Sequence, residues 1–125
     1  MGKFTIFKDF DFSAGHFVRG HTRGCQNLHG HNYRVRVHVS ARQLDSLGMV
    51  MDFADLKVAI SGVVGRFDHQ VINDHPPFDE RNTTAELIAQ YIHDELAGQL
   101  PERVRIERVE VWETPTSCAI YEAET

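Results

Sequence analysis

Polar and apolar positions alternate along two stretches near the start of the chain. Phe10, Phe12 and Ala14 fall on one face of an extended segment predicted over residues 3–14, and His16 keeps the same parity just beyond it. Val35, Val37 and Val39 alternate with Arg34, Arg36 and His38 from Tyr33 to Ala41, which predicts a second strand with one dry and one wet face. His29 and His31 share the parity of Tyr33 and those valines. Residues 17–28 show no period and read as the loop between the strands. After Gln43–Gly48, a turn, Met49-Val50-Met51 suggests a short extended piece.

The period then changes. Asp52 is placed to cap a helix on which Phe53, Leu56, Ile60, Val63 and Phe67 form one apolar stripe, with Gly62 and Gly65 weakening its end. Asp68-His69 falls where that helix finishes, and residues 70–82, with Asn73-Asp74-His75-Pro76-Pro77, predict a loop. Thr83 or Thr84 caps a second helix whose stripe is Leu87, Ile88, Tyr91, Ile92 and Leu96, ended by Gly98. Alternation returns from Arg105 to Glu113, Thr114-Pro115-Thr116 predicts a turn, and Cys118 to Glu122 a last strand. The order ββααββ implies an α+β fold: a four-stranded antiparallel sheet with two helices on one face. Its open edges and uncovered face lead us to expect a closed homo-oligomer with sheets joined edge to edge.

Composition narrows the classes. A chain of 125 residues fits one domain over 1–125, and 42% hydrophobic with 25% charged residues is ordinary for a globular protein. A net charge of −5 without a basic block argues against a nucleic-acid partner. No apolar run has the length of a membrane span or a signal core, and two cysteines do not make a disulfide framework. A cytoplasmic setting with reduced thiols is the expectation, and Asn82-Thr83-Thr84 then matches a glycosylation sequon only by coincidence.

Candidate chemistry gathers at Cys25-Gln26-Asn27-Leu28-His29-Gly30-His31. His29 and His31, two apart on an extended segment, point the same way, and His16 arrives at the end of the neighbouring strand. Three imidazoles with a fourth position open is the ligand set of a catalytic zinc ion. Cys25 is either a base activated by a nearby cation or a fourth, structural ligand; spacing does not separate the two. Asp68-His69 could form a proton relay. Glu113, in the parity of Val109 and Val111, could accept two parallel N–H bonds from the amidine-like edge of a heterocycle, with Thr83 and Thr84 adding hydroxyl bonds.

Taken in order, Phe12-Ser13-Ala14-Gly15-His16, Cys25-x-x-Leu28-His29-Gly30-His31-Asn32-Tyr33, Met51-Asp52-Phe53-Ala54-Asp55-Leu56-Lys57, Phe67-Asp68-His69, Thr83-Thr84-Ala85-Glu86 and Val111-Trp112-Glu113-Thr114 resemble the 6-pyruvoyl-tetrahydropterin synthase and 6-carboxytetrahydropterin synthase family. The resemblance spans nearly the whole chain. It implies the tunnelling fold, in which trimers form a β-barrel and two trimers stack into a hexamer with active sites between subunits. It implies zinc on His16, His29 and His31, Cys25 as the proton-abstracting group with Asp68 and His69 as its relay, and Glu113 as anchor of a pterin ring, helped by Thr83 and Thr84. The implied substrate is 7,8-dihydroneopterin triphosphate. The form Leu28-His29-Gly30-His31 and the short loop before Cys25 resemble the branch that yields 6-carboxy-5,6,7,8-tetrahydropterin, acetaldehyde and triphosphate for queuosine. The alternatives are the branch that makes 6-pyruvoyl-tetrahydropterin and a zinc-stabilised pterin-binding module without turnover. Arg19, Arg23 and Arg81 are weak candidates for the triphosphate.

Overall fold

A computed structural model of the protein describes residues 2–124. Four strands, β1 (Phe4–His16), β2 (His29–Ala41), β3 (Arg105–Thr114) and β4 (Ser117–Tyr121), form one antiparallel sheet in the order β1-β2-β3-β4. Helices α1 (Phe53–Val64) and α2 (Ala85–Leu96) lie between β2 and β3 in sequence. α1 packs on β1 and on α2, while α2 packs on β3 and β4. The expected ββααββ order and four-stranded sheet are what the structure shows, and among the described residues no helix is long and apolar enough to cross a membrane.

Each helix starts where a side chain meets its unpaired N–H groups. Asp52 accepts from the Ala54 amide at 2.7 Å, and Thr84 accepts from Leu87 at 3.2 Å. Gly98, at φ +88°, follows α2 in a conformation that costs a residue with a Cβ. Leu56, Ile60, Val63 and Val64 of α1 and Ile88, Ala89, Ile92 and Leu96 of α2 close over Val35, Val37, Val39, Val109 and Val111, all in one buried cluster. Burying each valine, leucine or isoleucine side chain among them is worth about 1.5–3 kcal/mol.

Three boundaries differ from the sequence reading. Phe53 is 52% exposed: it opens α1 ahead of the stripe, and Phe67 reaches the core from a separate 3₁₀ turn, Gly65–Phe67. Residues 49–51 are not a strand, because the Asp45 carboxylate accepts from the Leu47 and Met49 amides and Gly48 (φ +82°) closes a turn; Val50 and Met51 are buried all the same. β1 runs on to His16 and β2 begins at His29, so the pairing extends through Ala14–His31 and Gly15–Gly30 to His16–His29. The reason lies outside the two strands. The segment after α1 runs beside the end of β1, where the Gly15 amide donates to the Gln70 carbonyl at 2.9 Å and Gly15 bridges Val71.

Candidate metal centre and its surroundings

The extended pairing is what assembles the imidazoles. His16 stands opposite His29, His31 stands opposite Ala14, and all three keep the parity of the buried face beyond the point where the helices cover it. Their ring centroids lie 4.6 Å (His16–His29), 5.1 Å (His16–His31) and 4.9 Å (His29–His31) apart. One nitrogen from each ring falls within 4.8 Å of the others, and Cys25 is not part of this group. The alternative of Cys25 as a fourth ligand therefore has no support in the geometry of the single chain.

Two of the rings have their tautomer set by carbonyls, which can only accept. His16 Nδ1 lies 2.9 Å from the Thr83 carbonyl oxygen and 3.0 Å from its hydroxyl, so Nδ1 carries the proton and Nε2 presents its lone pair. His29 Nδ1 donates likewise to the Asn27 carbonyl at 2.7 Å. His16 Nε2 is buried and has no hydrogen-bond partner. Burial lowers the His16 pKa to about 4; the bond to Thr83 opposes this, and the nearby His29 and His31 add to it. Burial also lowers His31, against the pull of Glu113. These lowered values keep His16 and His31 neutral, the form that binds a metal. An orphaned buried nitrogen beside two more imidazoles suits a divalent cation that favours nitrogen donors.

Glu113 belongs to this site. Its Oε2 lies 3.7 Å from His31 Nε2, and its carboxylate stays partly exposed. Tyr33, fully buried, sets its ring edge-on to His16 and His31 at 5.8 and 5.4 Å and stacks on Phe12 at 5.0 Å. Burial, then the charge of Glu113, raises its phenol well above the usual range.

Asp68 and His69 are pinned to the outer edge of β1 by one residue. The Ser13 amide donates to Asp68 Oδ1 at 3.0 Å, and the His69 amide donates to the Ser13 carbonyl at 2.6 Å. His69 Nδ1 sits 3.0 Å from Asp68 Oδ1, at a backbone φ of +59°, a conformation that strains a non-glycine residue. The Ser13 bond, followed by His69, holds the Asp68 carboxyl below its ordinary value. Cys25 is half-buried in the loop between β1 and β2, its carbonyl accepting from Val18 at 2.7 Å; among the described residues no hydrogen bond joins its thiol to Asp68 or His69.

One cavity, about 800 Å³, lies on the sheet face away from the helices and is bordered by Arg34, Trp112, Asp68 and His69, with none of the three imidazoles. A second, about 600 Å³, is bordered by Gly15, Gly30, His31, His69 and Asp74. His69 thus stands between the two cavities, while His31 alone of the imidazole trio reaches either.

Of the two threonines offered as the cap of α2, Thr84 takes that role. Thr83 is fully buried, its hydroxyl donating to the Phe17 carbonyl at 2.9 Å, and the Thr84 hydroxyl is the cap of α2. Of the three arginines offered for the triphosphate, Arg19 is engaged in the fold: its guanidinium donates to the carbonyls of Phe78, Asp79 and Arg81. Two asparagines went unnoticed in the sequence. Asn73 exchanges two hydrogen bonds with the Phe17 backbone, and Asn82 does the same with Arg19, so both amides imitate a paired strand alongside the segment after His16. In the sequence Asn73 stood only as part of a breaker-rich run and Asn82 only as part of a sequon; the structure buries the first and engages both amides.

A four-stranded sheet backed by two helices, with imidazoles clustered at one end, defines a tunnelling-fold domain with a candidate cation centre. The family profile described as 6-pyruvoyl tetrahydropterin synthase matches residues 5–124, and the chain belongs to that family of enzymes. Among similar curated proteins, the 6-carboxy-5,6,7,8-tetrahydropterin synthase of Haemophilus influenzae is 35% identical, covering 95% of this chain and 99% of its own. That of Synechocystis is 39% identical over 93% and 91% of the two chains. The solved 6-pyruvoyl tetrahydropterin synthase of Caenorhabditis elegans superposes with a TM-score of 0.84 at 27% identity, covering 99% of this chain and 98% of that one.

Proposed function

We propose that the protein is a zinc-dependent lyase that converts 7,8-dihydroneopterin triphosphate and water to 6-carboxy-5,6,7,8-tetrahydropterin, acetaldehyde and triphosphate, a step toward queuosine. The observation that carries this reading is the imidazole trio with its orphaned His16 Nε2, beside Glu113 on the same sheet face. The relatives named for that carboxypterin product, matched over nearly their whole length, support the choice of branch.

His16, His29 and His31 would hold the ion. Bound there, zinc supplies Lewis acidity toward substrate oxygens, easing loss of a carbon-bound proton. Cys25 takes that proton as thiolate, and the Asp68–His69 pair moves it onward. The Glu113 carboxylate accepts two N–H bonds from the ring edge and fixes the substrate's orientation. Among the described residues no hydrogen bond joins Cys25 to the Asp68–His69 pair, which agrees with a site completed between subunits of a homo-hexamer, a dimer of trimers. The N–H and C=O groups of β1 on its outer edge, before Ser13, favour such strand-to-strand closure. Two free cysteines agree with a cytoplasmic setting.

The test is incubation of the zinc-loaded protein with dihydroneopterin triphosphate and identification of the products. Acetaldehyde with carboxypterin is expected, abolished by Cys25→Ala and weakened mainly in KM by Glu113→Gln. Pyruvoylpterin would assign the chain to the other branch, a reading the family's description favours. Binding without conversion would make it a pterin-binding module.

A further inference from the structure

We infer that Thr83 is a positioning residue of the metal centre, clamping His16 through its side chain, and not a ligand of the substrate ring. The inference rests on the metal reading of the imidazole trio and is independent of which pterin product forms.

Thr83 offers the His16 ring two acceptors at once, its carbonyl at 2.9 Å and its hydroxyl at 3.0 Å. The hydroxyl proton is already committed, because it points at the Phe17 carbonyl 2.9 Å away. The oxygen lone pairs are thereby turned toward His16 Nδ1–H, and the imidazole is fixed with Nε2 toward the centre. One side chain thus grips both the ring of residue 16 and the backbone of residue 17. Asn73 Nδ2 donates to the same Phe17 carbonyl at 3.0 Å, so the strand end is held from two directions. Thr83 itself cannot drift, since the next residue caps α2. It is wholly shielded from solvent, so the hydroxyl has no free face for a substrate. Partners of this kind, which orient a metal-binding histidine through its other nitrogen, typically contribute about 10–100-fold to metal affinity.

Three variants decide the matter. Thr83→Val keeps the shape and the carbonyl but removes the hydroxyl; Thr83→Ser keeps the hydroxyl; Thr83→Ala keeps neither hydroxyl nor bulk. Zinc affinity is read by competition with a chromophoric chelator, and the ligand field by the visible absorption of the cobalt(II)-loaded protein. We expect Thr83→Val to lose about 10–100-fold in zinc affinity with an altered cobalt spectrum, and Thr83→Ser to restore both. If Thr83→Val does not fold, the serine and alanine variants take its place: serine like the parent with alanine weakened supports the clamp. Parental zinc affinity and cobalt spectrum in Thr83→Val, or in Thr83→Ala where the valine variant does not fold, would overturn it. The metal titrations need no turnover, so failure of the lyase reading leaves them standing, and the reverse also holds.

Discussion

The two faces of the sheet use the same strands for opposite purposes. Under the helices, Val35, Val37, Val39, Val109 and Val111 are fully buried and carry no chemistry. On the other face the same strands bear a ladder of polar rungs between directly opposed residues: Ser13 with Asn32, Asp11 with Arg34 and Asp9 with Arg36. Farther along, Glu110 is held by His38, Arg108 and Trp112, and Glu107 by Lys3 and Ser40. The imidazoles belong to the dry parity, not the polar one. They arise where that face outruns its cover, so burial, which elsewhere stabilises, here keeps His16 and His31 neutral and ready for a cation.

That contrast can be broken in graded steps. His31→Ala should abolish retention of the metal after dialysis, measured by elemental analysis, while circular dichroism stays that of the parent; a parental metal content would move the centre elsewhere. Leu56→Ala, on the dry side, should cost about 2–5 kcal/mol in chemical denaturation. Asp9→Asn, on the polar side, should cost about 0.2–1 kcal/mol, and salt should shrink the difference. A polar rung as costly as a core leucine would erase the distinction between the faces.

Acid sharpens the same contrast. The Arg36 hydrogen bond holds the Asp9 carboxyl below its ordinary 3.8, and Lys3 and then Ser40 hold Glu107 below 4.5. A depressed folded value means that the unfolded chain binds protons first. The stabilisation is therefore complete above those ordinary values and is lost as pH falls through the lowered ones. Denaturation midpoints should drop over that window, and Asp9→Asn should flatten part of the slope. The smallest expected effect is on stability at His69: replacement by Gly, which accepts a positive φ, should leave the melting temperature unchanged or raise stability by up to ~1 kcal/mol, while the proposed proton relay is lost. A clear fall in melting temperature would show that the ring braces the fold instead.

Much of this was legible in the chain. Alternation at Phe12–Ala14 and Val35–Val39 and the stripe Leu56–Ile60–Val63 are local signals, and they placed the sheet, the helices and the shared parity of His16, His29 and His31. What was not legible depends on contacts distant in sequence. The docking of Gln70 and Val71 against Gly15 lengthens the strands, and the partnership of Thr83 with His16 spans 67 positions. A threonine next to a helix cap looks the same whether its hydroxyl faces water or a histidine. Phe53 misled for a similar reason: its spacing fits the stripe, but the core begins a turn later.

The continuous pairing from Phe4–Ala41 to His16–His29 sets where the chain can tolerate changes of length. One residue inserted between Phe12 and His16, or between His31 and Val35, would swing an imidazole to the opposite side of the sheet. The stretch 20–26 has no such register to keep, so an insertion-scanning library should recover metal-retaining clones there and almost none a few residues to either side.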